Sequence, residues 1–99
     1  MTIDQNIFYK KFTFRDFYIP MRMMLGLKHY IIDHEKANDF LMFIFENDLK
    51  GACFFADKEN IKNIPAFIAF LYDIAPIQCW GSKKKVSDWL NTPKGETDT

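Results

Sequence analysis

Between residues 20 and 32 the apolar side chains recur at helical spacing, with Met24, Leu27 and Ile31 on one stripe and Met21, Leu25 and Ile32 beside it. A stripe that wide buries one face of a helix. Pro20 suits the first helical position, where its fixed backbone angle and missing N–H are harmless. Gly26 within the stripe weakens the helix by about 1 kcal/mol relative to Ala, and such a glycine marks a place where another backbone or helix passes close. The run Phe40-Leu41-Met42-Phe43-Ile44-Phe45 has no polar alternation and can be read as a buried strand or a helix. A cap at Asn38 or Asp39 in front and the helix-tolerant residues 46–50 behind favour a helix, interrupted near Gly51.

Asp57, with Asn60 at its third helical position, caps the next segment. Ile61, Ile64, Phe67, Ile68, Leu71, Tyr72 and Ala75 keep helical spacing across Pro65, which removes one hydrogen bond and splits the segment in two near Asn63. Pro76 closes it. In Cys79-Trp80-Gly81-Ser82-Lys83-Lys84-Lys85-Val86-Ser87-Asp88-Trp89-Leu90, Gly81 permits a tight turn and Ser82 caps a short helix over residues 83–90 that faces the core with Val86, Trp89 and Leu90.

The first 17 residues follow neither pattern. Phe12-Thr13-Phe14-Arg15 alternates like a strand, but no second strand-like segment stands out to pair with it, so an extended aromatic arm is expected over residues 1–17. The arm packs on its own chain or on a second copy. The sequence therefore predicts an all-α fold: a compact bundle of four or five short helices over residues 18–90, the arm before it and a disordered tail over residues 91–99.

Composition narrows the function classes. Of 99 residues, 48% are hydrophobic and eleven are Phe, which leaves apolar surface beyond what a core needs and makes a homodimer one expectation. Thirteen basic and thirteen acidic side chains cancel, arguing against a general electrostatic grip on nucleic acid or an anionic membrane. Cys53 and Cys79 are too far apart in sequence to suggest a disulfide framework or zinc ribbon. A basic-then-apolar leader and an apolar run of membrane-spanning length are both missing, so a cytoplasmic protein is expected.

Lys83, Lys84 and Lys85 occupy the first turn of a helix, where the macrodipole favours acids. An anion would relieve that conflict, so Trp80, Gly81, Ser82, Lys83, Lys84 and Lys85 form the candidate ligand- or partner-binding site, with a phosphate or nucleotide as one occupant and an acidic protein patch as another. Against this stands the plain reading of a solvated lysine face. Arg22 and Lys28 would add charge if the first and last helices are neighbours. His29 and Asp33 lie four apart on one helix face, but a zinc site needs a third convergent ligand, and neither metal nor cofactor is expected. Cys79 is the better candidate thiol nucleophile of the two cysteines, although a buried cysteine usually packs as a small hydrophobe. Glu46 and Asp48 read as the solvated side of a helix, phosphate-cradling glycine loops are absent, and no catalytic residue is assigned.

Tyr18-Ile19-Pro20, Met24, Gly26-Leu27, Tyr30-Ile31, Phe40-Leu41, Asn47-Asp48-Leu49, Ala56-Asp57, Asn60, Leu71-Tyr72, Ala75-Pro76 and the Cys79-Trp80-Gly81-Ser82 turn followed by Trp89 form a pattern that resembles small phage and prophage proteins. The resemblance covers residues 18–90. It implies a non-enzymatic accessory protein that binds a host protein or complex, such as an inhibitor of a host defence system, and carries no reaction or ligand. The Phe-rich arm and the lysine triplet depart from the pattern. The alternative from a different class is a nucleotide- or phosphate-binding protein built on Ser82 to Lys85.

Overall fold

The computed structural model describes residues 3–93. Its described residues are mostly helical, with α1 (Met21–Ile31), α2 (Asp39–Phe45), α3 (Leu49–Phe55), α4 (Lys58–Ile61), α5 (Ile64–Asp73) and α6 (Lys83–Leu90). Short 3-10 turns cover Gln5–Tyr9 and Ile77–Cys79. Among the described residues no helix is long and apolar enough to cross a membrane. The tail expected at the C-terminus lies outside the described residues from position 94 onward.

The expectation of an all-α bundle of four or five helices needs two corrections: the described residues form six α-helices, and a small two-stranded sheet joins them. Strand β1 (Phe12–Phe14) pairs antiparallel with β2 (Phe17–Ile19), placing Phe12 opposite Ile19 and Phe14 opposite Phe17. The partner strand follows after only two residues, Arg15 and Asp16, and Arg15 takes the left-handed conformation at φ 55° that such a tight hairpin loop uses. Where an extended arm was expected, the chain thus forms a 3-10 turn and a hairpin that spans the expected boundary between residues 17 and 18. Phe8 and Ile19 are fully buried, and Phe12 meets Phe70 of α5 edge-on at 5.1 Å, so the segment packs on its own chain.

Most helix starts follow local chemistry. Asn38 accepts from Leu41 N–H, Asp48 from Gly51 N–H, Asp57 from Asn60 N–H and Ser82 from Lys85 N–H, each offering a side-chain oxygen to an amide that the helix itself leaves unpaired. Asn63 begins α5 without such a bond. Its amide oxygen instead accepts from Tyr18 N–H and its nitrogen donates to the Glu59 carbonyl, tying β2 to α4. The interruption expected near Gly51 falls earlier: α2 ends at Phe45, Asn47 turns left-handed at φ 60°, and Asp48 caps α3. Gly51 sits inside α3.

The core joins these pieces through large side chains. Gly26 lets α2 approach α1 closely, since a Cβ there would lie 2.9 Å from Leu41 Cδ1. Tyr30 stacks on Phe45 with ring centroids 4.0 Å apart, and its hydroxyl donates to the Cys79 carbonyl at 2.7 Å. Trp89 of α6 is buried, and its indole N–H donates to the Tyr30 carbonyl at 2.9 Å. His34 stacks on the same indole at 4.0 Å and donates from Nδ1 to the Trp89 carbonyl at 2.8 Å. One tryptophan thereby fastens the last helix to the end of the first.

Candidate functional site

At the start of α6 the expected turn is present. Gly81 adopts φ 116°, and its N–H donates to the Phe45 carbonyl at 2.7 Å, so the turn is docked on the end of α2. Val86 and Trp89 then face the core, and Trp80 is half-buried. The lysine ammonium groups do not converge on one point. Lys84 pairs with Asp88, one turn along the helix, at 2.8 Å, while Lys85 folds back over Gly81 and donates to the Ile77 carbonyl at 3.2 Å. Lys83 is exposed.

The other two cations expected to add charge there have carboxylate partners of their own. Arg22 contacts Asp57 at 2.8 Å and Glu59 at 3.2 Å, and Lys28 lies 3.7 Å from Asp33. Tyr18 joins the Arg22 cluster by donating its hydroxyl to Glu59 at 2.7 Å. The Tyr18 bond and then Arg22 hold the Glu59 carboxyl below its ordinary range; the Asn60 amide first, and Arg22 after it, do the same for Asp57. These charges clasp β2, α1 and α4 together. The Cys79 thiol is buried and pushed up to about 12, chiefly by loss of hydration, so it is held in the form that is a poor nucleophile.

A different surface emerges on α3. Only Ala52 of its seven residues is buried, yet its composition is that of a core helix: Leu-Lys-Gly-Ala-Cys-Phe-Phe. Gly51 explains how it is seated. The Phe43 ring of α2 lies flat against the glycine, 2.5 Å from where a Cβ would stand. Phe43 in turn stacks on Phe55 at 5.3 Å, and Phe55 meets Phe54 edge-on at 5.4 Å. The result is a row of three rings running from the α2–α3 seam into solvent. Phe54 is 83% exposed and Leu49 65%, with Phe55 and Cys53 also exposed.

Such a row has the chemistry of a binding anchor. Aromatic side chains cover much area with few rotatable bonds, and they are enriched in the centres of protein interfaces. Sequence reading passed over it because an apolar helix and a buried helix look alike until the covering element is placed. No protein-family model matches the chain, and neither curated proteins nor solved structures show a match to it.

Proposed function

We propose that the protein is a non-enzymatic interaction module that docks on a protein partner through the aromatic face of α3. The single observation behind this reading is the Phe43–Phe55–Phe54 row, braced at Gly51 and ending in solvent. Single exposed rings are ordinary, but adjoining rings that form one apolar patch mark a contact surface, and rings held in place before binding lose little conformational freedom when a partner covers them. In the phage or prophage setting implied by the resemblance of residues 18–90, the partner is a host protein and the module acts by occupying it.

The nucleotide- or phosphate-binding alternative at Ser82 to Lys85 has less support. Two of its three ammonium groups already satisfy Asp88 and a backbone carbonyl. The two readings separate in one experiment, capture of partners from host lysate by the wild type, Phe54→Asp and a Lys83→Glu, Lys84→Glu, Lys85→Glu variant. Loss of one defined partner in Phe54→Asp alone supports the α3 face. Loss in the lysine variant alone moves the site to α6, and equal retention by all three overturns both assignments.

A further inference from the structure

The end of α1 carries a second arrangement of chemically active side chains. His29 and Asp33 share a face by their four-residue spacing, and His29 Nδ1 lies 3.2 Å from Asp33 Oδ2. The chain then reverses at His34, which holds the left-handed conformation at φ 57°. That conformation is uncommon for a residue with a Cβ, and here the stack and hydrogen bond to Trp89 hold it. The reversal returns Glu35 toward α1: its N–H donates to the His29 carbonyl at 3.0 Å, and its Oε1 comes within 3.6 Å of His29 Nδ1.

One imidazole nitrogen and two carboxylate oxygens thus converge, all within 4.8 Å of one another. A four-coordinate zinc ion sits about 2.0–2.2 Å from nitrogen and oxygen ligands, which spaces neighbouring ligand atoms about 3.3–3.6 Å apart. The separations from Nδ1, 3.2 Å to Asp33 and 3.6 Å to Glu35, bracket that spacing, and the two carboxylate oxygens lie within 4.8 Å of each other. His29 and Glu35, though not Asp33, border a cleft of about 300 Å³ that leaves room for water beside these two ligands, and the cations Arg22 and Lys36 share its wall. His34 is not among the converging ligand atoms; its Nδ1 serves the Trp89 carbonyl instead.

We propose that His29, Asp33 and Glu35 bind a divalent transition-metal ion of the zinc class, with open positions filled by water. Imidazole with carboxylates suits such ions, and the neutral imidazole binds through Nδ1. The bound ion would pin the loop after α1 to the helix. The nearby Lys28 ammonium, 3.7 Å from Asp33, opposes the ion electrostatically.

The test is titration of tag-free, chelator-treated protein with Zn²⁺ by calorimetry and with Co²⁺ by visible absorption, in a Cys53→Ser background that removes the exposed thiol. One equivalent should bind, with Co²⁺ giving the intense bands of a low-coordinate site. His29→Ala should abolish binding, and Glu35→Gln should weaken it by more than about tenfold, a loss already typical of altering a residue that only supports a ligand. Lys28→Met should tighten it. Zn²⁺ affinity equal in the background protein and in His29→Ala would overturn the site, and unchanged or weaker affinity in Lys28→Met would remove Asp33 from it.

Discussion

The seam between α1 and α6 and the outer face of α3 use similar residues to opposite ends. At the seam, Tyr30, Phe45, His34 and Trp89 are all buried, and the polar atoms of Tyr30, His34 and Trp89 have partners: hydroxyl to Cys79, imidazole to Trp89, indole to Tyr30. On α3, Phe54 and Leu49 face solvent although a complete core lies one helix away. The contrast shows that the exposed rings are not left over from a failed core. At the seam the chain buries aromatics that carry a hydrogen bond or fill the centre, whereas α3 presents apolar side chains on a braced frame.

The largest effect expected from breaking this contrast is at Trp89. Replacing a buried tryptophan by Ala removes its transfer free energy and leaves a cavity, about 3–5 kcal/mol in total. Trp89→Ala also takes away the ring on which His34 stacks and the donor to the Tyr30 carbonyl. Urea denaturation should show a loss in that range. A loss under about 1 kcal/mol would mean that α6 is held elsewhere and that the seam is no anchor.

A smaller, conditional effect belongs to the surface cluster of Tyr18, Arg22, Asp57 and Glu59, of which Arg22 and Asp57 are exposed and Tyr18 and Glu59 half-buried. Both carboxyls titrate below their ordinary values of 3.8 for Asp57 and 4.5 for Glu59 in the folded chain. A depressed folded pKa means that the unfolded chain takes up protons first, so the stabilisation is complete above the ordinary values and is lost as pH falls through the folded ones. Wild-type stability should decline below about pH 5 more steeply than that of an Asp57→Asn, Glu59→Gln variant, with Asn retained as a cap. Parallel stability curves would show that these carboxylates are screened by solvent and contribute nothing.

Much of the seam was legible in the sequence, and little of the α3 face was. Ser82, Val86 and Trp89 announce α6 through a cap and a helical period, and Gly26 announces the crossing that Leu41 makes. Those signals are local. The hairpin was missed because Arg15 and Asp16 lack the glycine or asparagine that usually marks a primed turn, and because the second strand, Phe17-Tyr18-Ile19, is short and apolar throughout and so displays no alternation. The break between α2 and α3 was displaced because Asn47 stops one helix and Asp48 caps the next within residues that are all tolerated inside a helix. The lysine triplet was visible, and Lys84 with Asp88 could be paired by spacing, but the reach of Lys85 to the Ile77 carbonyl depends on the turn. Likewise, Glu35 meets His29 only because a histidine, held by a tryptophan 55 residues later, adopts a left-handed turn.

The smallest expected effect is the one that best sharpens the comparison. Phe54 is 83% exposed, so Phe54→Ser removes almost no buried area, and stability should stay within about 0.5 kcal/mol of wild type. That near-neutral outcome, alongside the large loss at Trp89, is what separates a presented ring from a core ring. A loss above about 1 kcal/mol would instead mean that something already covers Phe54 in solution, and a second copy of the chain is the available candidate. Protein concentration then decides: a melting temperature that rises with concentration in the wild type and not in Phe54→Ser identifies α3 as a self-association face, because only binding to the folded state makes stability depend on concentration. A concentration-independent melting temperature in both keeps the α3 face open to a different protein.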